Sequence, residues 1–339
     1  MKALSERNHL LDVMKAIASL GVIFVHFPFP GELGRICAAF GTVGVVFFFL
    51  ISGYQSYCAD SADSTKILRR FRRNLIILVS VIPIFVVYTV IKQIALGTIS
   101  AWATTYLLNP ITYVRLFVLG DLDFVNCGHL WYMVAMLYGY LILYVMEKFR
   151  LHKPFYIALP LLLLLRASME TYTNSFSHFS WFDWHFSGNF LVGALPVMLL
   201  GSFIAANKQK LLAVGTGVYL ASAAALMSLV FLTVNVKLFG LDLSQPFKIA
   251  AATAFFMLCL TVTLKKSTSL LGSFGRYLTL NVYIWHRIVG DLLIDLLVYV
   301  KAEQWVYDWC LPVVAVAASL LLALPLAKLN ARIKTATAK

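Results

Sequence analysis

The chain has 339 residues, of which 61% are hydrophobic and only 13% are charged, whereas ordinary soluble domains carry roughly 25% charged residues. A mean hydropathy of +0.83 excludes a soluble globular protein, because even a chain of this size leaves about a quarter of its unfolded-state surface in contact with water. The net charge of +13 does not indicate nucleic-acid binding, because the basic residues fall in bursts between apolar segments and not in an aromatic-interleaved basic tract. The apolar segments are continuous and do not alternate, which excludes a β-barrel. We therefore expect an all-α, polytopic integral membrane protein with no nucleic-acid partner.

Ten apolar segments are long enough to cross about 30 Å of hydrocarbon at 1.5 Å per residue, and they predict a bundle of about ten transmembrane helices. In chain order they cover residues 10–27, 36–56, 74–97, 129–147, 154–169, 189–206, 211–234, 246–264, 276–300 and 306–328. An even number of spans places both termini on one side, and that side collects most of the Lys and Arg residues, as cytoplasmic loops do. We expect both termini in the cytoplasm and the protein in a plasma membrane, the inner membrane of a bacterium.

The first span is predicted to be a retained helix, since Glu6, Asp12 and Lys15 interrupt the pattern of a secretory signal and no small-residue cleavage site follows. We expect a single transmembrane domain over residues 1–339 without an additional soluble domain. Internal repeats are not visible in the sequence, which argues against the commonest transporter architectures.

The sequence predicts no metal site. Its five cysteines are scattered and form neither a CxxC pair nor a Cys/His cluster of zinc spacing, and its seven histidines are dispersed over separate segments. The cysteines are therefore interpreted as apolar residues of the membrane helices.

Two predicted outer connections, residues 98–128 and 170–188, are longer than the others. The second contains HFSWFDWH at 178–185, with Asp183 and Trp184, followed by Asn189. Aromatic faces and polar edges of this kind bind sugars, and they also form interfacial girdles at the membrane surface. Both interpretations stay open.

One face of the first span is polar. At 100° per residue, Asp12, Lys15, Ser19 and His26 lie on one narrow side of a helix whose other sides are aliphatic, small or aromatic. Lys15 and His26 are about 16 Å apart along the axis, so they serve different ends of one buried path, whereas Asp12 and Lys15 can pair. Polar residues inside a span indicate function, and a histidine can take a proton from a hydroxyl or attack an activated carbonyl. His26 is therefore the best candidate for chemistry.

These residues carry a family resemblance. The start DVMKAIA at 12–18, a basic residue eleven positions before His26, and VGVVFFFLISGY at 43–54 resemble the acyltransferase family 3 membrane proteins. KILRRFRR at 66–73 resembles the family's cytoplasmic RxxR motif, HLWY at 129–132 its HLWF-type span opening, and YIWH at 283–286 its late iYxxH motif. One departure is Lys15, where the family usually has arginine, so the planar fork of a guanidinium is lost.

The resemblance implies an acyl-CoA-dependent O-acyltransferase. Members of the family transfer an acyl group from cytoplasmic acyl-CoA to a hydroxyl of an envelope glycan or lipid-linked acceptor. Acetyl-CoA is the donor that the resemblance favours, while succinyl or longer chains, N-acylation and a homodimer stay open. CoA phosphates need cations, and the resemblance assigns them to Arg69 and Arg72, with Arg70 and Arg73 beside them; ordinary positive-inside bias is the alternative explanation of this cluster.

Site roles follow from the same resemblance. His26 is the expected general base or transient acyl carrier, Lys15 contacts part of the donor, and Asp12 orients Lys15. Substrate-binding candidates are His129, Trp131, Trp184, Asp183 and His286. For His129 an interfacial histidine, and for His286 a packing role, are equally open.

Three other functions compete with this prediction. A lipid or polysaccharide transporter or flippase also fits ten helices with polar residues, and it should show repeats and more broken helices. A membrane acyltransferase of another class, with a buried histidine and an asparagine partner, lacks the Lys15 to His26 spacing. A non-enzymatic sensor leaves the polar face of the first span unexplained.

Overall fold

The computed structural model describes residues 8–172, 184–234, 237–238, 241–262 and 269–337, and within these ranges the chain is almost entirely helical. The helices are α1 (His9–His26), α2 (Gly31–Tyr54), α3 (Thr65–Ala95), α4 (Ile99–Trp102), α5 (Pro110–Leu119), α6 (Trp131–Lys148), α7 (His152–Tyr172), α8 (Trp184–Gly188), α9 (Leu195–Ala206), α10 (Lys208–Leu212), α11 (Thr216–Thr233), α12 (Ser244–Thr261), α13 (Leu270–Tyr277), α14 (Thr279–Tyr299) and α15 (Leu311–Thr337). Short 3-10 or π turns lie at Ser61–Ser64, Ala103–Leu107, Asp123–Val125, Gly128–Leu130, Phe190–Ala194 and Val306–Cys310. Two-residue strands β1 (Lys237–Leu238) and β2 (Leu241–Asp242) pair antiparallel, with Lys237 opposite Asp242.

The predicted all-helical class is confirmed, but the count of ten spans is not. Six helical segments among the described residues are long and apolar enough to cross a membrane. They are His9–His26, Gly31–Tyr54, Ser61–Ala95, Gly128–Lys148, Thr216–Thr233 and Val306–Lys328. The other four predicted spans coincide with α7, α12, α14 and the shorter apolar helix Phe190–Ala206. In α14 the difference has a clear cause, since Arg287, Asp291 and Asp295 break the apolar run.

Capping residues and prolines explain several helix boundaries. Asn8 caps α1 by accepting a hydrogen bond from the backbone N–H of Leu11 at 2.8 Å. The same helix ends at His26, shortly before Pro28, which has no N–H to continue the helix. Asn109 caps α5, whose first residue is proline, a residue favoured at that position.

The chain divides into two compact units, and each is described separately. The first unit comprises Met1–Phe48, Gln209–Val234 and Phe247–Lys339, and the second comprises Phe49–Lys208 and Asn235–Pro246.

In the first unit, α1 packs against α2 and α13 with unusually close backbones. A Cβ built on Gly41 would lie 2.2 Å from the carbonyl oxygen of Gly21, and one built on Gly275 would lie 1.6 Å from that of Asp12. Only glycine permits these approaches, and small residues are what membrane helices use to pack closely. A core that includes Ala16, Ile23, Phe27, Phe274, Val282 and Leu311 fills the space between α1, α13, α14 and α15.

In the second unit, α6 lies near α3, α7 and α9. Glycines again allow close contact, because Gly139 faces the sulfur of Met198, and a Cβ on Gly53 would lie 1.9 Å from the carbonyl oxygen of Met198. The fully buried side chains of this unit include Phe85, Leu122, Leu130, Met133, Leu143 and Met146.

Candidate active site

The polar face of α1 forms as the sequence predicts. Asp12 and Ser19 are buried, with 4% and 3% of their surface exposed, and the Lys15 Nζ lies 3.1 Å from Asp12 Oδ1. Lys15 and His26 are partly buried. The Lys15 ammonium is therefore partly neutralised by a carboxylate one turn away, which lowers the cost of holding either charge within an apolar helix.

His26 and His286 lie next to each other, although 260 positions separate them in the sequence. Their ring centroids are 5.1 Å apart with a 41° angle between the ring planes. His286 is fully buried on α14, and its Nδ1 lies 2.7 Å from the carbonyl oxygen of Tyr283 and 3.2 Å from that of Val282. Since carbonyl oxygens only accept, Nδ1 carries the proton and donates, and Nε2 of the neutral ring keeps its lone pair.

Phe27 and Gly290 maintain the approach of α1 to α14 beside this histidine pair. A Cβ on Gly290 would lie 1.9 Å from the Phe27 ring, which is 3% exposed. The Phe27 ring thus occupies the space that a side chain at 290 would take. Phe27 directly follows His26, and Gly290 lies one helical turn after His286. The packing of Phe27 against Gly290 therefore fixes the distance between the two imidazole rings.

The basic cluster of α3 divides into two kinds of residue. Arg70 donates to the Gln55 side-chain oxygen at 2.8 Å, and Lys66 donates to the carbonyl oxygen of Tyr57 at 2.7 Å. Arg69 and Arg72 are exposed, and no hydrogen bond or ion pair joins either of them to another described residue. Arg73 is also exposed. The two arginines of the first RxxR pair therefore present their guanidinium groups outward, one turn apart on α3.

Sequence reasoning missed a buried carboxylate in the second unit. Glu147, at the end of α6, is fully buried. Its Oε2 accepts from the backbone N–H of Cys58 at 3.0 Å and lies 3.0 Å from His152 Nε2, while Ser202 Oγ lies 3.4 Å from its Oε1. The partners of Glu147 come from the α2–α3 connection, α7 and α9. The periodicity of α6 alone therefore does not predict these contacts.

A second cluster that the sequence did not predict joins parts of the two long connections. His185 Nε2 lies 3.3 Å from both Asp121 Oδ1 and Asp123 Oδ2. Arg115 Nε donates to Asp121 Oδ2 at 2.8 Å, and its NH2 lies 3.2 Å from His185 Nδ1. The Arg115 contact favours a neutral ring, because a guanidinium only donates, whereas the two carboxylates favour the imidazolium.

The carboxylates dominate this balance. Burial by itself would lower the pKa of His185, but hydrogen bonds to Asp121 and Asp123 raise it from 6.5 to about 9. Burial likewise opposes ionisation of Asp121, yet hydrogen bonds from His185, the Asp123 backbone and Arg115 hold the pKa of its carboxyl well below 3.8. At neutral pH the His185 ring is therefore protonated and the Asp121 carboxyl is ionised.

The same cluster has a spacing that would suit a metal ion. One ligand atom each from Asp121, Asp123 and His185 lies within 4.8 Å of the others. Arg115 and the His185 ring already place positive charge against the carboxylates of Asp121 and Asp123, so these ion pairs account for the cluster without a metal ion.

The remaining predicted site residues lie in the second unit. His129, in the turn before α6, is 6% exposed, and its ring lies 5.6 Å from that of Phe85. Trp131 begins α6 and lies 6.1 Å from the Phe49 ring. Trp184 begins α8, while Asp183 and most of the aromatic segment 178–185 lie outside the described residues.

The comparisons with known proteins agree with the sequence motifs. No curated protein and no solved structure matches the chain. A family model described as an acyltransferase domain, that of acyltransferase family 3, matches residues 8–328, a range that contains the polar face of α1, the basic cluster of α3 and the histidine pair. The resemblance is thereby confirmed over nearly the whole chain, and the chain belongs to acyltransferase family 3.

Proposed function

We propose that this protein transfers an acyl group from cytoplasmic acyl-CoA to a hydroxyl of a cell-surface carbohydrate or lipid-linked glycan, with His26 as the proton acceptor. The observation that carries the proposal is the contact of His26 with His286 within a chain that belongs to an acyltransferase family. Membership of this family gives no support to the transporter alternative.

The donor side of the proposal rests on Arg69 and Arg72. Their exposed guanidinium groups suit the phosphates of coenzyme A, because charge-assisted and bidentate contacts bind phosphate strongly. Arg70 is bound to Gln55 and therefore supports the fold of this region more than it contacts the donor. Acetyl-CoA is the donor we favour.

The chemical step needs one base and one leaving group. The acceptor O–H gives its proton to an imidazole nitrogen of His26 while the oxygen attacks the thioester carbonyl. The C–S bond then breaks, and the departing thiolate takes up the proton that His26 accepted, so the products are an ester and free coenzyme A and His26 is neutral again. The Nδ1–H of His286 is bound to the backbone, so its Nε2 is the nitrogen that can accept a hydrogen bond, and beside His26 it orients that ring and shares its proton.

Asp12 and Lys15 take a supporting role in this proposal. Their ion pair leaves a net neutral, polar patch about three turns below His26. Such a patch suits the amides of a pantetheine arm along the polar face of α1. In the second unit, His129 and Trp131 stay candidates for binding the acceptor.

The test is binding and turnover by detergent-purified protein with acetyl-CoA and longer acyl-CoAs. His26→Ala should bind acyl-CoA, shown by thermal stabilisation, but lose thioester cleavage by a factor of about 10² to 10⁴, the usual contribution of a general base. His9→Ala is the matched control, since it removes a histidine from the opposite end of the same helix and should keep the parent rate.

Two results would contradict the proposal. Turnover by His26→Ala at the parent rate would remove His26 from the chemistry. If no acyl-CoA stabilises the parent protein, the donor assignment is wrong.

A further inference from the structure

The fully buried carboxylate of Glu147 requires an explanation beyond packing. Removing an ionised carboxylate from water is costly unless hydrogen bonds and an opposite charge compensate. Here His152 Nε2 and the backbone N–H of Cys58 each lie 3.0 Å from Oε2. Ser202 Oγ lies 3.4 Å from Oε1, and Ser202 in turn is 3.0 Å from the Tyr156 hydroxyl. The carboxylate thus ties the ends of α6, α7 and α9 to one short connection.

That connection, residues 55–60, is held by side chains from several directions. Arg150 donates to the carbonyl oxygens of Cys58 at 3.3 Å and Ala59 at 3.0 Å. Lys66 donates to the carbonyl oxygen of Tyr57, and Arg70 to the Gln55 side chain. Arg150 itself adopts a left-handed backbone with φ +58°, a conformation that is uncommon for residues with a side chain and therefore requires support from its surroundings.

Connection 55–60 leads through one 3-10 turn into α3, on which Arg69 and Arg72 are exposed. Of the basic residues near this point, Lys66, Arg70 and Arg150 are bound to the connection itself, whereas Arg69 and Arg72 are not. We propose that Glu147 and Arg150 are positioning residues, which hold connection 55–60 so that Arg69 and Arg72 face the phosphates of the coenzyme A donor together.

Preorganisation explains why such support matters. An arginine side chain loses rotamer entropy when it binds, and two arginines bind one phosphate group well only if their helix is already in place. Glu147 accepts from the backbone N–H of Cys58, and Arg150 donates to the carbonyl oxygens of Cys58 and Ala59. Together they hold the backbone before and after the Cα atom of Cys58. This inference rests on the proposed donor site, since it assigns the binding of coenzyme A to Arg69 and Arg72.

The experiment measures the KM for acetyl-CoA, kcat and the affinity for coenzyme A alone in full-length variants. Glu147→Gln keeps the size of the side chain and removes the charge, and Arg150→Gln removes the second support independently. We expect each to raise the KM for acetyl-CoA roughly tenfold while kcat changes less than about twofold. Arg69→Ala provides the reference for direct loss of a phosphate contact, and Arg150→Lys, which keeps a cation, should recover part of the affinity.

Tyr156→Phe is the matched control. Its hydroxyl contacts Ser202 in the same network, and among the described residues no hydrogen bond joins it to the 55–60 connection, so the KM of Tyr156→Phe should equal that of the parent. A purely structural role of Glu147 would instead lower the amount of active protein, and hence the apparent kcat, at constant KM. The salt dependence of coenzyme A affinity gives a second readout, because displaced arginines should make binding less sensitive to ionic strength.

The possible failures can be told apart. If the parent does not bind coenzyme A, the proposed function is wrong and this inference falls with it. If the parent binds coenzyme A and both Glu147→Gln and Arg150→Gln bind it equally well, the donor site stands but the positioning role is wrong. If Glu147→Gln does not fold, Arg150→Gln and Arg150→Lys decide alone, since they leave the buried carboxylate intact.

Discussion

The histidine pair of the first unit and the Glu147 network of the second unit are both polar sites among apolar helices, but they are constructed differently. His26 lies on a helix face that already carries Asp12, Lys15 and Ser19, so one helix defines most of the site. Glu147 shares α6 with only one other charged residue, Lys148, and it finds its partners at positions 58, 152 and 202. The first site is organised along a helix axis and the second across helix ends.

Only the first of these two kinds of polar site is visible in a sequence. Helical periodicity makes a stripe visible because residues three, four, seven and eleven positions apart share a face. A single buried carboxylate has no periodic signature, and its meaning appears only when the fold brings its partners together. Variants of the two kinds of site can show whether the histidine pair works as a unit and whether clusters joined across long separations depend on charge.

The largest effect is expected from His286→Ala. If His286 orients His26 and shares its proton, the variant should lose thioester cleavage by about 10² or more while still binding acyl-CoA. In the double variant with His26→Ala, activity should be no lower than in His26→Ala alone, because groups that act as a unit are not additive. The measurement is single-turnover cleavage of acetyl-CoA. Additive losses would mean that the two histidines act separately.

A smaller effect is expected from Gly290→Ala, which changes the distance between the histidines without removing either. The new methyl group would overlap the Phe27 ring, so the ring or α14 must shift, at a cost of about 1 to 3 kcal/mol for overpacking. We expect a loss of kcat of about tenfold and reduced thermal stability in detergent. Gly217→Ala is the matched control, because a Cβ there meets nothing within 4 Å, and alanine in a helix costs less than glycine. Equal kcat in the two variants would contradict the packing argument.

Much of the first unit's site could be predicted from the sequence, since the face of Asp12, Lys15 and His26 depends only on α1 being a helix. The family resemblance added His286 as a candidate, but its contact with His26 depends on α1 and α14 packing through Phe27 and Gly290, which no local pattern encodes. The helical class was likewise predictable from continuous apolar segments.

The site residues of the second unit were less predictable, because their contacts depend on how distant segments pack. The basic cluster was visible as a run of charges, but its division into bound Arg70 and outward-facing Arg69 and Arg72 depends on where Gln55 lies. The contacts of Glu147 with Cys58 and of His185 with Asp121 span 89 and about 64 positions respectively. Hydrophobic periodicity reports which face of a helix is buried, not which distant helix covers it.

The smallest effect concerns the ion-pair cluster of Arg115, Asp121, Asp123 and His185, which tests the charge dependence of contacts across long separations. The pKa of His185 is raised from 6.5 to about 9, so its stabilising contribution is fully present below about pH 6.5 and is lost as the pH rises through 9. The pKa of Asp121 is lowered, so its contribution is present above about pH 4 and is lost only in stronger acid.

These opposite shifts define the pH window in which the cluster stabilises the fold. The parent should therefore melt higher than Asp121→Asn by about 1 to 3 °C between about pH 4 and 6.5, since each kcal/mol shifts the melting temperature of a chain of this length by about 1.4 °C. The difference should shrink as the pH rises towards 9, because His185 loses its proton in both proteins. Melting temperatures measured in one detergent from pH 4 to 10 check this. The control for general charge effects is Asp308→Asn, which removes a half-buried carboxylate in the turn Val306–Cys310, where Asp308 accepts from the Gln304 side chain. If the melting temperatures of the parent and Asp121→Asn differ by the same amount from pH 4 to 10, the cluster is stabilised by packing and not by charge.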